Sequence, residues 1–224
     1  MAGDLPLELL IWTSPAFPVG AFAYSHGLEW AHEAGDVTDA ASLEAWLADL
    51  LAHGAARNDA ILAARAWHAA QDVPALLDLA ELGVALATSA ERRLETVTQG
   101  NAFLSVAAAS WPCPPLHAYR AAQSGDTPYP VAFGLVAGAH AIPLAETLEA
   151  LLLGFVQNLV SAAIRLGAIG QTDGQRVVAA LLPAIRGEAA GAREAGLDDL
   201  GAAAFRSDLG SLLHETQYTR LFRS

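Results

Sequence analysis

The stretch PLAETLEALLLGFVQNLVSAAIRL (residues 143–166) decides the fold. A proline opens it, and proline is favoured at the start of a helix because its missing N–H would have no partner there. Large apolar side chains then recur every three or four positions, at Leu144, Leu148, Leu151, Leu152, Phe155, Leu159 and Ile164. This period predicts the longest helix of the chain, with one side facing a core.

Composition extends the helical prediction from this stretch to the whole chain of 224 residues. Alanine is the commonest residue and leucine the next, whereas β-branched and aromatic residues are few, which favours closely packed helices over sheets. An apolar content of 54% is ample for a sizeable core. We therefore expect a single-domain, all-α array of helices over residues 1–213, followed by a tail at residues 214–224.

Three segments carry more specific expectations. Residues 22–34 have the pattern of one continuous helix, which a glycine ends. Residues 167–174 are rich in glycine and follow a helix, so they predict a helix-to-helix connection and not a phosphate-binding loop. Residues 187–201 are acidic and contain glycine, and we expect them to be mobile.

Charge and residue usage exclude several classes of function. The formal net charge of −12 opposes binding to nucleic acid or to anionic lipid and permits basic partners. All twelve basic residues are arginine, so a phosphate-loop lysine and a lysine Schiff base are both unavailable. The single cysteine, Cys113, cannot form an internal disulfide.

The sequence also argues against a membrane protein. The most apolar window, residues 151–170, carries Gln157, Asn158 and Arg165, and each of these is costly at the centre of a bilayer. The first residues lack the positive region and cleavage site of a secretory signal. We therefore expect a cytoplasmic protein.

The tail HETQYTRLFRS (residues 214–224) has no helical or strand period. It could be solvated or packed back on its own domain. However, its aromatic and arginine side chains are of the types that anchor protein interfaces. The tail residues predicted to bind a partner are His214, Glu215, Tyr218, Arg220, Phe222 and Arg223.

Two further groups of residues could carry chemistry. Glu29 and His32 have the Glu-x-x-His spacing of di-iron bundles, which leaves a helical metalloenzyme as an alternative, but the second such pair that the site requires is missing from the chain. Ser25, His26 and Glu29 are better candidates for partner contact than for catalysis. Glu91, Arg92, Arg93 and Glu95 predict a solvated helix face.

Four motifs, in order along the chain, resemble the UreF family of urease accessory proteins. They are LLIWTSPAFPVGAFAYSHGLE (residues 9–29), YPVAFG (residues 129–134), the segment 158–176 with its GQTDGQR ending, and the tail. Together they span almost the whole chain, so the combination is far more specific than any single motif. A helical adaptor unrelated to urease is the remaining alternative.

The resemblance implies an all-helical, dimerising protein that is not an enzyme and has no catalytic residue, resident metal or cofactor. Its partners would be the accessory protein UreD (also called UreH), the GTPase UreG and apo-urease, and its role would be the insertion of nickel. The tail would bind UreD and gain order on docking. The resemblance also makes seven residues outside the tail candidates for partner contact: Ser25, His26, Glu29, Arg165, Gln171, Asp173 and Gln175.

Overall fold

A computed structural model describes residues 6–224, and within that range the chain forms helices and no strand. The eleven α-helices are α1 Leu7–Trp12, α2 Leu28–Glu33, α3 Ala40–His53, α4 Ala55–His68, α5 Val73–Ala85, α6 Ala90–Ser110, α7 Pro114–Ala122, α8 Tyr129–Ala139, α9 Leu144–Leu166, α10 Gln171–Glu194 and α11 Phe205–His214. Short 3-10 turns lie at Ala21–Ala23 and Leu197–Asp199. The all-α prediction is confirmed.

Local signals in the sequence set several of the helix ends. The Asp39 side chain accepts a hydrogen bond from the backbone N–H of Ser42 at 2.8 Å and caps α3. Ser89 caps α6 in the same way. At the other end of a helix, Gly167 adopts a φ of 80° and terminates α9, a conformation that glycine reaches without a steric penalty. The predicted helix of residues 143–166 therefore stops where its glycine requires.

Helix α9 lies at the centre of the fold. It packs against α10 on one side and contacts α2, α3, α4 and α8 as well. By length and composition alone it could cross a bilayer, since an 18-residue window of it has a mean hydropathy of 1.5. Half of that window, however, is buried inside the protein. This burial among other helices is what a core helix of a globular protein shows.

Small residues bring α4 and α8 unusually close together. A Cβ atom added to Gly134 would lie 2.2 Å from the carbonyl oxygen of Ala63, and one added to Gly138 would lie 2.4 Å from that of Trp67. The two backbones therefore touch where these glycines face α4. The glycines of α8 and the buried alanines of α4 thus allow the close packing of helices that the composition predicted.

An aromatic cluster fixes the end of α1 to the core. The Trp12 ring lies edge-on to Phe103, Trp111 and Phe133, with ring centroids 5.8, 5.7 and 6.1 Å apart. Edge-to-face pairs of this kind add about 1 kcal/mol each beyond the area they bury. The cluster holds the start of the segment that runs from Trp12 to α2.

Two of the segment predictions were wrong. Residues 22–34 do not form one helix, because His26 and Gly27 both have positive φ values, 57° and 76°, and α2 begins only at Leu28. Residues 187–194 are not mobile but continue α10. Ala189 and Ala192 extend the buried stripe of Leu181 and Ile185 and pack into the core, and this tertiary contact outweighs the low helix propensity of the glycines.

The close contact of α4 with α8 makes a stability prediction. Gly134→Ala must separate two backbones, so we expect it to lower the free energy of unfolding by roughly 3 kcal/mol. Gly187→Ala is the matched control, since Gly187 is helical with no atom near a new Cβ. We expect the control to stabilise by about 0.5 kcal/mol. Urea denaturation of both variants measures the two effects, and equal stabilities would contradict the packing described here.

Candidate partner-binding site

The tail, residues 214–224, packs back against the helical body. Phe222 is only 4% exposed, and its ring is covered by the Arg165 guanidinium, whose carbon lies 4.4 Å from the ring centroid. Backbone hydrogen bonds run from the Arg223 N–H to the Ala23 carbonyl at 2.8 Å and from the Ser25 N–H to the Ser224 carbonyl at 2.9 Å. In this structure the tail contacts its own domain. The tail is therefore ordered without a partner, so the expectation that it gains order on docking is not supported.

Glu29 is the main receptor for the tail. Its carboxylate is buried and accepts hydrogen bonds from the backbone N–H groups of Leu221 at 2.6 Å and Phe222 at 2.9 Å. The Nε2 atom of His214 lies 3.1 Å from the same carboxylate. A carboxylate can be buried at low cost only when donors surround it, and the tail supplies all of these donors. Glu29 and residues almost two hundred positions later thus form one unit.

Glu95 is the second buried carboxylate under the tail. It accepts hydrogen bonds from the Ser224 hydroxyl at 2.9 Å and the Gln99 amide at 3.1 Å, and it pairs with Arg92. The His26 Nε2 atom lies 2.7 Å away. His26 is placed for this contact by its positive φ, which turns the chain immediately before α2.

These contacts set the protonation of the cluster. Burial by itself would raise the pKa of Glu95, but Arg92, His26 and Ser224 together outweigh it and lower the pKa to about 2. Burial lowers the pKa of His26, and Arg92 lowers it further, against the opposing effect of Glu95. The cluster at neutral pH is therefore a carboxylate held between a guanidinium and a neutral imidazole.

A third acidic residue, Glu91, ties α11 and the tail to α6. Its two oxygens meet the Nδ1 atom of His214 at 2.6 Å and the Arg220 guanidinium at 2.7 Å. The Glu215 carboxylate accepts a hydrogen bond from the backbone N–H of Ala90 at 2.8 Å, at the N-terminus of α6. An acidic side chain is favourable at that end of a helix.

Helix α11 exposes the side that a helix normally buries. Its buried residues are small or polar, Gly210, Ser211 and His214. Its apolar residues, spaced as on one helical face, are exposed by 77%, 53%, 48% and 39% at Phe205, Leu209, Leu212 and Leu213. In the tail beyond it, Tyr218 is fully exposed and Leu221 is 62% exposed. A concentration of large apolar side chains in water marks an interaction surface.

Most of the sequence-predicted site residues meet here, and a few do not. Ser25, His26, Glu29, Arg165 and most of the tail residues form one cluster. The exceptions are Tyr218, whose side chain is fully exposed, and Arg223, which takes part only through its backbone. The other predicted residues lie at the start of α10. Gln171 and Gln175 are exposed there, and Asp173 pairs with Arg176 at 2.8 Å.

The structure does not favour the metalloenzyme alternative. Glu29 is occupied by the tail, and the Nδ1 atom of His32 lies 2.8 Å from the Val37 carbonyl oxygen, so the two side chains share no site. In the part of the chain that is described, no group of three or more histidine, cysteine, aspartate or glutamate side chains could hold a metal ion.

The prediction of a solvated face was wrong for Glu91, Arg92 and Glu95 and was confirmed for Arg93, which is exposed. Glu95 is 2% exposed, and Arg92 and Glu91 are largely buried beneath α11 and the tail. Their spacing fits an exposed face equally well, because the residues that cover them are more than a hundred positions away in the sequence. One feature of the sequence could have indicated burial: residues 91–95 combine two acids with two arginines, and the tail at residues 214–224 also carries charges of both signs.

The depressed pKa of Glu95 predicts a specific loss of stability in acid. Its carboxylate stabilises the fold above its ordinary pKa of 4.5, and this contribution is lost as the pH falls towards about 2. We expect Glu95→Gln to remove roughly 3 kcal/mol at neutral pH and to flatten the pH dependence of unfolding in that range. Urea denaturation at a series of pH values measures both. Glu149→Gln, at an exposed position of α9, is the control, and an unchanged acid slope in Glu95→Gln would contradict the assignment.

Phe222 anchors the tail, so Phe222→Ala should release it. We expect the backbone amides of Leu221 and Phe222 to lose their protection from hydrogen exchange, because burial of the ring contributes roughly 3 kcal/mol. Tyr218→Ala is the matched control, since Tyr218 is fully exposed and its removal costs the fold nothing. Hydrogen exchange followed by mass spectrometry makes the comparison. Equal protection in the two variants would show that Phe222 does not hold the tail.

Comparison with known proteins supports the family identified from the sequence motifs. The UreF family model matches residues 37–182. A urease accessory protein UreF of Xanthobacter autotrophicus is 59% identical over 99% of this chain and 93% of its own length. The UreF proteins of a Methylobacterium species and of Azorhizobium caulinodans are 58% and 55% identical, each over 97% of this chain and over 88% and 95% of their own lengths.

These relatives are named as accessory proteins and not as enzymes, which confirms the expectation of a non-enzymatic protein. The identity extends over nearly the whole chain, so the adaptor unrelated to urease is no longer needed as an alternative. This chain belongs to the UreF family.

Proposed function

We propose that this protein is a scaffold for urease maturation that binds UreD through α11 and the tail and recruits the GTPase UreG to apo-urease. A role in urease maturation follows from the family and the names of its relatives. The identity of the partners, a homodimeric state and a cytoplasmic location are parts of the proposal. The observation that carries it is the exposed apolar side of α11, which continues into Tyr218 and Leu221.

The contacts divide the tail into two sets of residues. His214, Phe222 and Ser224 are buried and bind the body, whereas Tyr218 and Leu221 are exposed. The Tyr218 ring is exposed to water, while the backbone on both sides of it is held by the buried residues His214 and Phe222. The ring therefore loses little conformational freedom on binding, and more of its contact energy is available for affinity. This supports a preformed docking surface.

A scaffold needs no catalytic group of its own. A dimer that holds two GTPase molecules in one orientation relative to urease raises their effective concentration without forming a bond. In this mechanism the hydrolysis of GTP belongs to UreG. The net charge of −12 favours a partner whose docking surface is basic or neutral.

The proposal predicts that exposed residues control affinity for UreD. Tyr218→Ala should weaken binding by more than about 1 kcal/mol, since aromatic residues dominate interface energies. The stability of the variant should stay unchanged because the side chain makes no contact within the protein. Calorimetry with purified UreD measures the affinity.

His117→Ala, at an exposed position of α7, is the control and should bind normally. Deletion of residues 214–224 should abolish co-purification with UreD while the far-ultraviolet circular dichroism stays helical. Normal co-purification of the deleted protein, or unchanged affinity of Tyr218→Ala, would contradict the proposed surface.

A further inference from the structure

A cavity of about 160 Å³ lies between the segment that follows α1 and helices α4, α6, α8 and α9. Aromatic rings line much of it, among them Trp12, Phe17 and Phe155. Charged side chains of α4 and α6 line another part, namely Asp59, Arg92 and Glu95. An apolar enclosure with a few polar groups is the usual form of a small-molecule site.

Asp59 is the unusual group in this cavity. It is half-buried, and within residues 6–224 no donor lies within hydrogen-bonding distance of its carboxyl group. The neighbouring guanidinium of Arg92 is taken up by Glu95. A smaller cavity of about 40 Å³ also borders Asp59, so its carboxyl group lies between two open spaces. Because the carboxyl group is only half-buried, it stays open to a donor that enters either space.

His26 provides a second unsatisfied acceptor. The residue is nine-tenths buried and lines the same cavity. Its Nε2 atom faces Glu95, and its Nδ1 atom has no hydrogen-bond partner. In a neutral imidazole that donates through Nε2, Nδ1 is an acceptor. The residues that line the cavity thus offer two acceptors, the Asp59 carboxylate and the His26 Nδ1 atom, beside one donor without a partner, the Trp12 Nε1–H.

The charge of the cavity depends on Asp59. Burial raises its pKa to about 7, with Arg92 acting to lower it and Glu95 to raise it. Of the other titratable groups around Asp59, burial lowers the pKa of His26 and raises that of Tyr129. Asp208 of α11 lines the smaller cavity, and burial raises its pKa as well. Arg92 and Glu95 offset each other, so ionised Asp59 leaves the cavity with a net negative charge.

We propose that this cavity binds a small aromatic cation of the amidine or guanidine class, with Asp59 as its counter-ion. Two parallel N–H groups on such a cation match the two oxygens of a carboxylate. Its ring would lie among the aromatic side chains, which also attract a cation through their faces. The site is separate from the exposed surface proposed to bind UreD, so the two proposals stand or fall independently.

Benzamidine is the probe, and benzamide and benzoate are its neutral and anionic matches. We expect saturable binding of benzamidine to the full-length protein in calorimetry, weaker binding of benzamide and none of benzoate. Affinity should increase as the pH rises through 7, where Asp59 ionises. Equal affinity for benzamidine and benzoate would show that the cavity does not select a cation, and no saturable binding at millimolar concentration would show that it holds water only. Either outcome would overturn the proposal.

Asp59→Asn removes the charge and keeps the shape. It should weaken benzamidine binding at least about tenfold, the loss expected for one charged hydrogen bond. Asp78→Asn, at an exposed position of α5, makes the same change in net charge and should bind as the parent protein does. Unchanged binding by Asp59→Asn would place the probe elsewhere. If that variant fails to fold, the pH dependence of the parent protein still tests the role of Asp59.

Discussion

Two buried carboxylates, Glu29 and Glu95, are the constraint on which the arrangement of this site depends. A buried carboxylate must be surrounded by donors, since leaving it unpaired costs several kcal/mol. Here the donors come from the turn before α2, from α6 and above all from the last eleven residues. The requirement of the carboxylates for partners therefore fixes the path of the tail, and the tail in turn fixes α11 against α2 and α6.

This arrangement explains why α11 buries its polar side and exposes its apolar side. Its buried side must reach Glu29 and Glu91 with His214, and must let Gly210 and Ser211 pass close to α2 and α6. A Cβ atom on Gly27 would lie 2.8 Å from the Ser211 backbone nitrogen, so the two segments are in direct contact. The apolar residues of α11 have no place left on the inside. Because polar contacts hold the buried side of α11 in place, its apolar side can stay exposed.

The same charged network connects the surface to the interior. Ser224 reaches Glu95, Glu95 reaches His26 and Arg92, and these groups line the cavity that contains Asp59. The body of the protein keeps this network in place through the close contact of α4 with α8 and the aromatic cluster around Trp12. Rigid packing thus lies on one side of the network and the exposed apolar face of α11 on the other, an arrangement that the proposed scaffold role requires.

The sequence by itself determined the helical class and the course of α9 up to its end before Gly167, because periodicity and glycine act over a few neighbouring residues. It also identified the family, and it singled out Ser25, His26, Glu29 and the tail, which the structure brings together. Their binding of a partner stays a prediction. Only the tertiary structure decided that Glu91, Arg92 and Glu95 are buried, that α10 continues past its glycines and that α11 exposes its apolar side. Each of these depends on contacts between residues far apart in the chain, and such contacts leave no periodic signal in the sequence.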